Sequence, residues 1–136
     1  IDLITIGINM KDHFDKLFRE TIFDHVIIEN QISPIANRMK TLQGMIAQYF
    51  IMKDSTNIHF VSSQNKLKDY VDSGKKMSYS ERKKNSIIIT KKLIEENQKI
   101  NEWNNEFDKN KKKDDLADCF LQGRWYLKKT ILIKKQ

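Results

Sequence analysis

Cysteine, proline and glycine are all scarce in this sequence. Cys119 is the single cysteine in 136 residues, so no disulfide can form within the chain, and a reducing, intracellular compartment suits it. With one proline and four glycines there is no glycine-rich phosphate loop, no nucleophile elbow and no CxxC pair. No apolar run approaches the length of a membrane span, and no signal peptide is visible, so no membrane partner is expected. The three histidines, His13, His25 and His59, share no ligand spacing with each other or with Cys119, which argues against a zinc site. They are expected on the surface or in packing positions, and Cys119 is expected to pack as a small hydrophobe.

What remains is a basic, charge-rich chain with enough apolar residues for one globular domain. Hydrophobic residues make up 39% and charged residues 32%, which supports a core and keeps the surface solvated. Twenty-five Lys and Arg against 18 acids give a net charge of +7, which favours an anionic partner such as nucleic acid. The excess is concentrated. Between Gln64 and Lys92, nine basic residues face three acids, a net of +6. Lys66, Lys68, Lys75, Lys76, Arg82, Lys83 and Lys84 are the candidate phosphate contacts, salt-sensitive and blind to base sequence.

Short β-branched runs and helical periodicities alternate along the chain. "LITIGI" (3–8) has the composition of a buried strand, after which Asn9 can cap a helix from Met10 to about Ile22. "HVIIEN" is expected to be a second strand, ending in Glu29. Ser33 and Pro34 stand at the cap and first-turn positions of a long helix to Met52, with Ile35, Met39, Leu42, Ile46, Tyr49 and Phe50 in its apolar stripe. Gly44 inside it suggests a close approach by another backbone. "NIHFVSS" is expected as a third strand, so strand, helix and strand predict a parallel βαβ unit within an α/β sheet. Residues 64–78 look like an exposed basic loop. Ser78 and Glu81 have capping-box spacing for a helix toward Asn97. Residues 98–112 are expected to be a loop. A last helix from about Asp114 to Ile131 has Leu116, Phe120, Leu127 and Ile131 as its apolar stripe.

Within "KKKDDLADCF" (111–120), Asp115 and Asp118 project from nearly the same side of that helix. Two carboxylates held so close repel unless a cation lies between them, and hard oxygen ligands beside phosphate suit Mg²⁺ or Mn²⁺. Glu29 could complete such a site, since ligand sites of open α/β sheets gather at strand C-termini. Acids in a first helical turn also simply complement the helix dipole, and Asp114 is expected to do only that. Tyr79, Trp103, Trp125 and Tyr126 could stack on bases, although Trp125 and Tyr126 sit where packing residues belong.

Three stretches in order resemble one family. "VIIENQISPIANRMKTLQGMIAQYF" resembles the strand ending in a glutamate and the following helix of RuvC-type Holliday-junction resolvases. "SYSERKKNS" is similar to their basic segment. "KKDDLADCF" resembles their late aspartate pair, above all in the poxvirus-type branch of large DNA viruses. The resemblance implies an RNase H-like mixed sheet with helices on both faces, a homodimer, and two Mg²⁺ (or Mn²⁺) ions per active site. It implies cleavage of four-way DNA junctions, with Glu29, Asp115 and Asp118 as metal ligands. Lys83 or Lys84 would lie at the scissile phosphate, with Lys66 or Lys68 as a second basic contact. The family's first aspartate belongs to an Asp-x-Gly turn after an opening strand. The opening segment here has no such turn, so an N-terminal hairpin is expected to precede Ile1. In a viral setting, the protein would work where viral DNA is replicated. Two other readings stay open: an RNase H-like nuclease acting on hybrids or flaps, and a basic DNA-binding protein without catalysis.

Overall fold

In the computed structural model Asp2 caps the first element. Its Oδ1 accepts a hydrogen bond from the Thr5 amide at 2.7 Å, and helix α1 (Leu3–Leu17) follows from that cap. "LITIGI" is therefore helical and not the buried strand expected from its β-branched residues. Those residues disfavour a helix only weakly, by a few tenths of a kcal/mol each, roughly. In α1 they extend a helical row that continues through Met10 and Phe14 to Phe18, just past its end, and all three aromatic or thioether side chains pack into the core. The structure describes residues 2–32, 37–71 and 76–132. The expected cap Ser33, Pro34, Ile35 and the basic residue Lys75 lie outside the described residues, as does the side chain of Ile131.

The chain divides into two compact units, Ile1–Ser62 and Ser63–Gln136. In the first, strand β1 (Val26–Glu29), helix α2 (Asn37–Met52) and strand β2 (Ile58–Val61) form the expected parallel βαβ unit, in register Val26↔Ile58 through Glu29↔Val61. Its core is aromatic. Phe50, only 7% exposed, lies 5.2–5.9 Å from the rings of Phe14, Phe18, Phe23 and Tyr49. Edge-on and tilted rings of this kind add to the energy of area burial. Asp54 adopts a left-handed φ of 66° and ends α2, while the Ser55 amide reaches back to the Phe50 carbonyl at 3.0 Å. The close backbone approach expected at Gly44 is not found, and the nearest contact at Gly7 is with the end of a side chain. A Cβ on Gly7 would meet Met45 Cε at 2.7 Å, whereas one on Gly44 has open space.

In the second unit a short 3₁₀ turn (Ser63–Leu67) buries Asn65 and Leu67, so residues 64–78 are not wholly an exposed loop. Helix α3 (Tyr79–Glu96) opens with the expected capping box: Glu81 N donates to Ser78 Oγ at 3.1 Å, and Ser78 N to Glu81 Oε2 at 3.3 Å. The tract expected as loop contains helix α4 (Asn104–Lys109), because Phe107 is an apolar anchor within it and is 5% exposed. Helix α5 (Lys113–Leu127) continues into a π-helical turn through Leu132. Its buried face is Ala117, Leu121, Gln122 and Tyr126, not the stripe through Leu116 and Leu127, which are 41% and 47% exposed. Ser86 and Thr90 of α3, both fully buried, and Ala117 of α5 keep side chains small where the two helices pack.

The RNase H-like mixed sheet with helices on both faces is not what the described residues form. They contain one two-stranded parallel sheet, and the other regular elements are helical. The opening segment that would have added a strand is committed to α1 by its cap and its apolar row. Among the described residues, no helix is long and apolar enough to cross a membrane.

Candidate nucleic-acid and metal site

The residues singled out from sequence fall in both units. Glu29 closes β1 in the first. Its register partner is Val61, and the next residue, Asn30, donates its amide to the Val61 carbonyl at 2.8 Å. The turn beyond is tied to α2 by Gln43, whose Oε1 accepts from the Gln31 amide at 2.7 Å and whose Nε2 lies 3.4 Å from Asn30 Oδ1. Gln43 is 6% exposed and was not among the residues expected at a site. Its signal was present: a lone amide within an apolar helical stripe, which needs polar partners once buried.

The second unit brings four candidate residues into two ion pairs along α5. Asp114 and Asp118 are one turn apart and share the packed side of the helix. Lys83, one turn into α3, places Nζ 3.1 Å from Asp114 Oδ2. Lys66, from the 3₁₀ turn, places Nζ 3.0 Å from Asp118 Oδ2. The two pairs differ in solvation. Lys66 is less exposed than Lys83 (18% against 46%), whereas Asp118 is more exposed than Asp114 (34% against 24%). The Lys83 hydrogen bond holds the Asp114 carboxyl below the ordinary carboxylate range, and the same bond raises Lys83 above the ordinary lysine value.

Asp115, the partner expected for Asp118, is exposed at the start of α5, and Asp114 takes the position on the packed side. Spacing alone could not separate the two. The buried face of α5 does, and it was misjudged from sequence because Leu116 and Leu127 outweigh Ala117 and Gln122 in apolar size. Of the other basic candidates, Lys68, Lys76, Arg82 and Lys84 are exposed. Around the pairs stand Tyr79, whose ring lies 5.4 Å from Lys83 Nζ, and Tyr70, whose hydroxyl accepts from Arg124 Nε at 2.8 Å. Tyr126 is buried, which removes it from the stacking candidates.

Among the described residues, no group of three or more Asp, Glu, His or Cys side chains is placed to hold a metal ion. Asp114 and Asp118 are two hard-oxygen side chains, short of such a group, and each is held by a lysine. Each carboxylate is at present balanced by a lysine, so a cation would compete with Lys66 and Lys83, while a phosphate would attract those same lysines away. Cation and phosphate binding would therefore favour each other.

Comparison with known proteins gives one informative match. An uncharacterized protein of Acanthamoeba polyphaga mimivirus is 30% identical over 134 residues, covering 85% of this chain and 32% of that protein. The chain thus spans about a third of the length of the curated relative it matches. No family model matches, and no solved structure matches.

Proposed function

We propose that the chain belongs to a viral, magnesium- or manganese-dependent endonuclease that acts on branched DNA, with the four-way junction as its preferred substrate. One observation supports this above the others. Lys66 and Lys83, from two separate segments, both converge on carboxylates one turn apart on α5. The "KKDDLADCF" and "SYSERKKNS" stretches that resemble junction resolvases supply three of those four residues, and the second is capped so that its lysines sit on a fixed helix turn. A mimivirus relative agrees with a viral origin.

In this reading Asp118 and Asp114 would hold a metal, with Asp115 beside them; Glu29 belongs to the other unit and is given no part in this site. Bound Mg²⁺ supplies an activated water and charge stabilisation at a phosphoryl oxygen. Lys83 and Lys66 bind the phosphates and offset charge that develops on them. Lys68, Lys76, Arg82 and Lys84 are exposed and add sequence-independent phosphate contacts. A homodimer would present two such sites, and junction selectivity would follow from their spacing.

A second reading has its own support. Asp114 and Asp118 are already neutralised by lysines, as in a purely structural network, and a DNA-binding protein without catalysis would look the same. The deciding experiment compares cleavage of a synthetic four-way junction, a flap and an RNA–DNA hybrid, with Mg²⁺ and with Mn²⁺, by the protein and by Asp118→Asn. Junction cutting that is lost in Asp118→Asn, with junction binding retained or tightened, is the expected result. Binding without cutting in either metal overturns the nuclease reading, and equal cutting of all three substrates overturns junction selectivity.

A further inference from the structure

We infer that Tyr79 is a stacking platform for an unpaired nucleobase, set beside the lysines that take the flanking phosphates. The inference deepens the nucleic-acid reading above and rests on it. Tyr79 is the first residue of α3 and is 70% exposed, so its ring contributes little to the fold. Its backbone is nevertheless held. The reciprocal Ser78–Glu81 hydrogen bonds pin the backbone on either side, and the ring therefore projects from a rigid helix start.

The surroundings match a base-and-phosphate ligand. Lys83 Nζ lies 5.4 Å from the ring centroid, a cation–π distance. Arg82, Lys84 and Lys76 are exposed within seven residues of Tyr79 in sequence, and none of them has an ion-pair partner recorded among the described residues. A π-face beside a cluster of cations is the combination that single-stranded nucleic-acid sites use: bases stack on the ring, and the cations track the backbone. The other tyrosines do not offer it. Tyr49 and Tyr126 are buried, and Tyr70 is half-buried with its hydroxyl held by Arg124 Nε at 2.8 Å. Branched DNA is a source of such bases, because stacking is interrupted where strands exchange.

The test uses a DNA duplex with a single 2-aminopurine bulge and the same duplex fully paired, titrated with the protein, Tyr79→Phe and Tyr79→Ala. Tyr79→Ala is expected to lose roughly tenfold in affinity for the bulged duplex, the scale of one base–aromatic stack, and to keep its affinity for the paired one. Quenching of 2-aminopurine emission should be seen with the protein and with Tyr79→Phe, and should be absent with Tyr79→Ala. If Tyr79→Ala binds and quenches as the protein does, the stacking inference is overturned and the nuclease reading is untouched. If the unaltered protein binds neither duplex, the stacking inference is overturned, and the nuclease reading stands or falls on junction cleavage alone.

Discussion

Replacing Leu121 by alanine tests the feature on which the site's geometry depends, the rotation of α5 about its own axis. Leu121 is 1% exposed and lies on the face that packs toward α3, with Ala117 one turn earlier at 0%. The substitution deletes about three buried methylene equivalents, worth ~0.8 kcal/mol each, or ~2.4 kcal/mol of transfer free energy. The cavity left behind adds to that, at ~24 cal/mol per Å³ of unfilled volume, and brings the expected loss to about 3 kcal/mol. Leu116 is the control. It is 41% exposed, so Leu116→Ala should cost less than about 1 kcal/mol. Both tryptophans, Trp103 and Trp125, belong to the second unit, so their fluorescence in a urea titration reports that unit by itself. A Leu116→Ala loss as large as that of Leu121→Ala would mean that the apolar stripe read from the sequence is the true inner face. Asp114 would then no longer share the packed side with Asp118, and the pairing with Lys83 and Lys66 would have to be abandoned.

Two further outcomes follow from the same unit. The Asp114 carboxyl should titrate below the ordinary carboxylate range by NMR and move back up in Lys83→Met; an unchanged midpoint would show that the pair does not persist in solution. The sign follows from both partners. Asp114 is depressed, so its contribution to stability is present above the unfolded carboxylate value and is lost as pH falls through the folded one. Lys83 is raised, so its contribution is present below the unfolded lysine value and is lost as pH rises through the folded one, leaving a plateau between. At the start of α3, Ser78→Ala should destabilise the second unit by about 1 kcal/mol and Ser78→Gly by only a few tenths, roughly, measured by the same fluorescence titration; equal losses would exclude the side-chain cap as the cause.

Local chemistry made some elements legible in the sequence. The capping box at Ser78 and Glu81 fixes where α3 begins, since two side chains satisfy two otherwise unpaired amides in one short motif. The βαβ unit was legible because "VIIE" and "IHFV" are too short and too β-branched for helices, and α2 between them is long enough to make the crossover. Where two local signals competed, the sequence was ambiguous. Ile4, Thr5 and Ile6 favour a strand by type, while Asp2 and the row from Met10 to Phe18 favour a helix. The outcome was settled by contacts with Tyr49 and Phe50, distant in sequence. In the polar tract 98–112, one buried phenylalanine, Phe107, was enough to order α4.

The candidate site shows the same division at the scale of single residues. That these two stretches belong to one site was expected only from the family resemblance, and residue type alone did not predict that their lysines and acids would pair. Which acid meets which lysine was not visible, because Asp114, Asp115 and Asp118 differ only in their rotation about α5. That rotation is set by what the rest of the helix buries. Ala117, the smallest side chain in the segment, is the most deeply buried, since α3 approaches closely there with Ser86 and Thr90 on its own face. A hydrophobicity pattern weights large side chains and so points to Leu116. Close helix packing selects small ones, and so turns Asp114 and Asp118 toward Lys83 and Lys66. Enlarging Ala117 would therefore disturb both ion pairs without touching either carboxylate.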